Sequence, residues 1–146
     1  MDNSPICVDA SLVVRLLASG EAESPAVQLW REWHASGRPL IAPTLLYCEV
    51  SNALRRYAAQ GELLPEEAAE ALEAALSLGI TLYGDADLHR RALELAGRFS
   101  LSAAYDAHYL ALAERLGAAF WTADRRLIRA VQATLSWVHL LEGTLP

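Results

Sequence analysis

The chain has 146 residues, of which 53% are hydrophobic, and this excludes an intrinsically disordered protein. The net charge is −6 and all twelve basic residues are arginine, which excludes bulk electrostatic binding of nucleic acid and leaves only local contacts. No apolar run approaches the roughly 18 residues that a membrane span requires. We therefore expect one cytoplasmic domain, residues 1–146, with no membrane segment.

The first half of the chain alternates short apolar runs with segments of helical periodicity. Residues 6–8 predict a buried strand that ends at Asp9, and a helix follows from about Ser11. Ser24 and Pro25 are a helix start signal, and residues 40–42 predict the second strand. Thr44 is expected to cap the next helix, which runs to about residue 60.

The second half continues the alternation. Helices are expected to begin at Pro65, Asp85, Ser102 and Asp124. The remaining predicted strands cover residues 80–82, 119–122 and 137–139. Strands that alternate with helices indicate βαβ units and a parallel sheet, so we expect a three-layer α/β domain.

Four acidic residues have positions in this pattern that suggest chemistry. Asp9 closes the first strand, and Asp124 follows the fourth. Glu49 and Asp106 lie early in helices. Ligands of open parallel sheets bind outside the carboxyl ends of the strands, so a sheet with central first and fourth strands would bring the four acids together.

Such a cluster of carboxylates has an electrostatic cost. Two like charges ~4 Å apart repel by about 4 kcal/mol at an effective dielectric of ~20, so the site must bind protons or a cation. Ligands that are all oxygen atoms suit Mg²⁺ or Mn²⁺ rather than Zn²⁺. Bound Mg²⁺ activates water and stabilises the leaving oxygen of a phosphodiester.

Four sequence motifs that contain these acids resemble those of PIN domains, and more narrowly those of VapC toxins. They are Val8-Asp9-Ala10-Ser11, Glu49-Val50-Ser51-Asn52-Ala53-Leu54, Tyr105-Asp106-Ala107 with Tyr109-Leu110-Ala111-Leu112-Ala113, and Trp121-Thr122-Ala123-Asp124. Each motif is weak alone, but the four occur in matching order over almost the whole chain.

The resemblance implies a PIN-like α/β/α domain with a central five-stranded parallel sheet, and an endoribonuclease toxin that requires Mg²⁺ or Mn²⁺. It also implies an RNA substrate, a cognate antitoxin that occludes the site, and a homodimer. The implied catalytic acids and metal ligands are Asp9, Glu49, Asp106 and Asp124, with hydroxyl groups of Ser11 and Thr122 that hold the site or its water, and with Asn52 at a frequent polar position.

Several other residues were considered for the site. Arg125 and Arg126 follow Asp124 and are candidates for RNA phosphate contacts, although a solvated helix face explains them equally well. The four histidines are scattered without ligand spacing, and Cys7 and Cys48 are expected to be core residues.

Two other functions remain open from the sequence. The acidic net charge favours a non-catalytic PIN-like binding module that works within a complex. Alternatively, Asp9 would serve as the nucleophile of a phosphatase or phosphotransfer domain, but no second acidic residue follows two positions later, as the best-known phosphatase pattern requires.

Overall fold

The computed structural model describes residues 2–18 and 24–142, which form five strands and seven helices. The strands are β1 (Ile6–Val8), β2 (Leu40–Pro43), β3 (Thr81–Tyr83), β4 (Ala119–Thr122) and β5 (Val138–Leu140). The helices are α1 (Ala10–Ala18), α2 (Pro25–Ala35), α3 (Leu46–Ala59), α4 (Pro65–Leu76), α5 (Ala86–Arg98), α6 (Tyr105–Leu116) and α7 (Arg125–Val131).

The five strands form one parallel sheet in the order β3-β2-β1-β4-β5. The first strand lies in the middle, with β4 directly beside it, which is the strand order that would bring the four acids together. Residues of β1 are fully buried, which explains why this strand is a continuous apolar run without polar alternation.

Both faces of the sheet are covered by helices, which gives three layers. On one face the Cys7 thiol donates to the backbone carbonyl of Tyr109 in α6 (3.7 Å), and the ring of Tyr109 stacks on Phe120 of β4. On the other face Trp33 of α2 packs against Trp121, with ring centroids 5.9 Å apart. The predicted three-layer α/β fold is confirmed.

Helix starts were predicted with mixed success. Ser24 caps α2 by accepting from the N–H of Val27 (3.3 Å), and Asp85 caps α5. Thr44 was wrongly predicted as a cap, because the N-cap of α3 is Leu45 and the Thr44 N–H instead donates to the carbonyl of Tyr83 (2.9 Å). This bond continues the pairing of β2 with β3 beyond the strand ends.

Two further predictions need correction. Helix α6 begins at Tyr105 after an Ala104 N-cap without a side-chain hydrogen bond, so Ser102 lies outside it, and the packing of the apolar face of α6 on the sheet fixes its start instead. Cys48 is exposed rather than a core residue, whereas Cys7 is buried as expected. Among residues 2–18 and 24–142, none of the helices combines the length and the apolar character of a membrane span.

Candidate active site

Asp9 is a buried carboxylate at the carboxyl end of the central strand. Its side chain accepts hydrogen bonds from the Ser11 hydroxyl (2.6 Å), the Leu12 N–H (3.1 Å) and the Thr122 hydroxyl. Only 5% of Asp9 is exposed, and these three donors replace the hydrogen bonds to water that burial removes. Burial still raises the pKa of Asp9 from 3.8 to about 6, with the nearby Asp106 charge contributing in the same direction.

Two hydroxyl groups tie this carboxylate to the end of β4. The Thr122 hydroxyl donates to Asp9 and accepts from the N–H of Asp124 (3.0 Å). The Ser11 hydroxyl donates to Asp9 and accepts from the N–H of Ala123 (3.0 Å). The loop that carries Asp124 is therefore held to Asp9 through two side-chain bridges.

Asp106 is the electrostatic centre of the acidic group. It lies in the first turn of α6, and its pKa is raised by partial burial and by the charge of Asp124, against a smaller lowering effect of Arg126. The Asp106 charge in turn raises the pKa of both Asp9 and Glu49. Each of the other three acids is thus close enough to Asp106 for their charges to interact.

Glu49 lies in the first turn of α3 and is held by a residue of α6. The Tyr109 hydroxyl donates to Oε1 of Glu49 at 2.7 Å. Burial raises the pKa of Glu49, the Tyr109 hydrogen bond opposes this shift, and the Asp106 charge adds to it. Tyr109 is itself 1% exposed, so the carboxylate is oriented by a fixed group.

Asp124 combines two structural positions. Its side chain caps α7 by accepting from the N–H groups of Arg126 (2.9 Å) and Leu127 (3.3 Å), as its place before a helix predicted. It is half-buried, and its charge reaches Asp106. Asp124 therefore both caps α7 and belongs to the acidic group.

The three remaining predicted site residues are surface residues. Asn52 and Arg125 are exposed, on α3 and α7 respectively. Arg126 is also exposed, and its charge lowers the pKa of Asp106, which places its guanidinium within electrostatic reach of the carboxylates.

The donor chemistry fits a hard divalent cation. All four groups offer carboxylate oxygens, and burial together with their mutual repulsion raises the pKa values of Asp9, Glu49 and Asp106, a cost that a cation relieves. Within residues 2–18 and 24–142 no three Asp, Glu, His or Cys side chains are grouped so that they could hold a metal ion. Mg²⁺ commonly uses one or two carboxylates and several waters, so the fit is to an ion of that kind.

Tyr109 is the residue of this site that the sequence reasoning missed. Its contact with Glu49 spans 60 positions of the chain, so no local spacing indicates it. In the motif of α6 a tyrosine is interpreted as a core residue. The sequence signal that could have identified it is its hydroxyl group, which a phenylalanine in the same core position would lack.

The Tyr109→Phe variant isolates the hydroxyl from the aromatic packing. We expect the pKa of Glu49 to rise above its wild-type value, because the hydrogen bond that favours its charged form is lost. The expected cost in the free energy of unfolding is about 1–3 kcal/mol. Carboxyl ¹³C chemical shifts followed against pH in metal-free buffer measure the pKa. A Cys7→Ala variant, which perturbs the packing beside Tyr109 but keeps its hydroxyl group, should leave the pKa of Glu49 unchanged.

Comparison with known protein families agrees with the motifs and the fold. Residues 6–132 match the family model described as the PIN domain. The chain is 37% identical over 129 residues to Ribonuclease VapC9 of Mycobacterium tuberculosis, an alignment that covers 88% of this chain and 92% of the relative. The VapC ribonuclease of Mycobacterium bovis matches to the same extent.

Solved structures give the same result for the fold. A Pyrobaculum aerophilum protein superposes with a TM-score of 0.66 at 26% identity, covering 88% of this chain and 80% of the other. A chain of a toxin–antitoxin complex from Klebsiella pneumoniae superposes with a TM-score of 0.68 at 18% identity, covering 95% and 99%. The latter likeness concerns the fold alone.

Proposed function

We propose that this chain, which belongs to the PIN-domain family, is an endoribonuclease that requires Mg²⁺ or Mn²⁺ and acts as the toxin of a toxin–antitoxin pair. The observation that carries the proposal is the buried Asp9 at the carboxyl end of the central strand, with the charge of Asp106 beside it. The names of the curated relatives, which are ribonucleases, support RNA as the substrate.

The side chains of the site have separate tasks in this proposal. Asp9 and Asp106 would be the main metal ligands, and Glu49 and Asp124 would complete the site through water. When bound, the metal ion would supply an activated water and stabilise charge on the phosphate. Ser11, Thr122 and Tyr109 hold the carboxylates in place, because each hydroxyl donates to one of them.

Substrate binding in this proposal rests on local positive charge. The net charge of −6 gives no general attraction for RNA. Arg126 has its guanidinium in electrostatic reach of Asp106, and arginine forms bidentate contacts with phosphate. We therefore assign Arg126 to the scissile or a neighbouring phosphate, with Arg125 and Asn52 at the exposed margin.

The proposed partners are a cognate antitoxin and a second copy of the chain. An antitoxin that occludes the acidic site would explain how a cell tolerates the ribonuclease. A chain of a toxin–antitoxin complex from Klebsiella pneumoniae has the same fold, which supports an antitoxin as a partner but says nothing of where it binds. The homodimer follows from the family resemblance.

RNA cleavage by the Asp106→Asn variant tests the proposal. We expect wild-type protein to cleave RNA with Mg²⁺ or Mn²⁺, to stop in EDTA, and to recover when metal is restored. Asp106→Asn removes the charge that couples to the other three acids, so its rate should fall by at least about 100-fold, beyond the 10–100-fold typical of groups that only support a metal ligand. Gel analysis of a labelled RNA measures the metal dependence of the wild type and the cleavage rate of the variant.

The control is Asp87→Asn, an exposed acid on α5 that pairs with Arg90. It should cleave like the wild type. Cleavage that persists in EDTA would contradict the metal mechanism. Protein that folds and binds RNA but cleaves none with either metal would instead support a non-catalytic binding module.

A further inference from the structure

The imidazole rings of His89 and His108 meet edge to face where α5 packs against α6. Nδ1 of His89 lies 2.9 Å from Nε2 of His108, and the ring planes are inclined by 72°. His89 is exposed and His108 is half-buried, so an ion from solvent has access to the pair. The two residues are 19 positions apart, which is why spacing along the chain did not reveal them.

The ring of His108 is oriented as a metal ligand would be. Its Nδ1 lies 2.7 Å from the backbone carbonyl oxygen of Ala104. A carbonyl oxygen only accepts, so the hydrogen is on Nδ1 and the Nε2 lone pair points away from the backbone. Metal-binding histidines characteristically donate their other ring N–H to such an acceptor, which fixes the ring and its tautomer.

We propose that His89 and His108 form a two-nitrogen site for a transition metal ion of the Ni²⁺ or Cu²⁺ class. Metal-to-imidazole distances are about 2.0–2.1 Å, so two nitrogens bound at a right angle are about 2.9 Å apart. In the structure the two nitrogens share a hydrogen bond at this same separation of 2.9 Å, which a bound ion would replace. Right angles are typical of the square-planar or tetragonal sites of these ions, whereas tetrahedral Zn²⁺ would need nitrogens about 3.3–3.4 Å apart.

Binding requires one change in the pair. His89 must carry its hydrogen on Nε2 rather than Nδ1, so that both facing nitrogens present lone pairs to the ion. Water fills the remaining positions, because the pair supplies only two ligands. The ion would join α5 to α6, the helix whose first turn carries Asp106, and would therefore stabilise the packing behind the carboxylate site.

This site is distinct from the carboxylate group in position and chemistry. His108 follows Asp106 by two residues, and side chains two apart on a helix do not face each other. Imidazole nitrogens suit Ni²⁺ and Cu²⁺, whereas carboxylate oxygens suit Mg²⁺ and Mn²⁺. The inference therefore does not depend on ribonuclease activity.

Calorimetric titration of untagged protein with Ni²⁺, in excess Mg²⁺ to occupy the carboxylates, tests the site. The exposed thiol of Cys48 also binds soft metals, so every protein in the series carries Cys48→Ser. We expect one Ni²⁺ per chain and an at least tenfold weaker affinity in both His89→Ala and His108→Asn. Paramagnetic resonance of the Cu²⁺ form should show coupling to two nitrogens, falling to one or none in either variant.

The matched control is His34→Asn, which removes an exposed histidine from α2 and should bind like the parent. The fold is retained if each variant, measured without metal, has a thermal unfolding midpoint close to that of the parent protein. Ni²⁺ affinity unchanged in both His89→Ala and His108→Asn would overturn the proposal, as would loss of binding in His34→Asn alone.

Discussion

The Asp9→Asn variant is expected to lose RNA cleavage by at least about 100-fold and yet to be more stable than the wild type in metal-free buffer at pH 7. The activity falls because asparagine removes the buried charge that would hold the cation, a larger loss than the 10–100-fold of supporting groups. The stability rises because burial raises the pKa of Asp9 from 3.8 to about 6, which means that folding opposes ionisation of this group.

The sign of the pH dependence follows from linkage. The folded state holds the Asp9 proton more tightly than the unfolded state, so the stabilising contribution is complete below pH 3.8 and is lost as the pH rises through about 6. The difference corresponds to roughly 3 kcal/mol. Asparagine stays neutral and keeps an acceptor for Ser11, but its amide matches the Thr122 hydroxyl less well, so the net gain at pH 7 is smaller than this figure.

Urea unfolding in EDTA between pH 4 and pH 7 measures the effect. The wild-type free energy of unfolding should decrease relative to the Asp9→Asn curve across this range. Hydrogen bonding with Arg115 lowers the pKa of Asp85 to about 2. The contribution of this pair to the free energy of unfolding therefore changes mainly below the pH range of the measurement. Glu49 and Asp106 are present in both proteins, so the difference contains Asp9 and its charge coupling to Asp106. A variant that is less stable at pH 7, with the same pH dependence, would refute the prediction.

The Thr122→Val variant is expected to lose about 2–6 kcal/mol of unfolding free energy and about 10–100-fold in cleavage rate. Thr122 is fully buried, and its hydroxyl is the shared partner of the Asp9 carboxylate and the Asp124 N–H. Valine fills the same volume but leaves both groups without this partner, at about 1–3 kcal/mol for each. Loss of the hydroxyl also removes a bond that orients a metal ligand.

Thr122→Ser is the matched control, since it keeps the hydroxyl and removes one methyl group. It should retain most of the cleavage rate and lose about 1 kcal/mol of stability from the missing methyl. Chemical denaturation and cleavage assays of both variants separate the effect of the hydroxyl from that of packing. If valine and serine behave alike, Thr122 acts only as a core residue.

The sequence predicted the features of this fold that depend on local patterns. Apolar runs identified the parallel strands, and Ser24, Asp85 and Asp124 identified helix starts, because a cap is a contact between residues two or three positions apart. The same reasoning was wrong at Thr44, whose N–H pairs with the carbonyl of Tyr83 instead, and at Ser102, which lies ahead of a helix that packs on the sheet. Propensity is a weak guide where tertiary contacts decide.

Features that depend on long-range contacts were not predictable in the same way. Asp9 and Asp106 stood out because an acid among apolar residues is costly without a function. Tyr109 and the His89–His108 pair did not stand out, since each contact joins helices that meet only in the folded chain. Cys48 was misjudged because an apolar neighbourhood in sequence does not say which face of a helix a residue occupies.

Helix α7, on one side of the acidic group, is less stable than the central strand that carries Asp9. It has seven residues and packs through Leu127, Ile128 and Val131 beside the edge strand β5, and a helix this short has little stability without that packing. Amide hydrogen exchange should therefore find α7 opening at a lower free energy than β1 at the centre of the sheet. Each such opening withdraws Arg126 and releases the Asp124 carboxylate from its capping bonds while Asp9 stays in place, so the fraction of time that α7 is closed limits the fraction of complete sites.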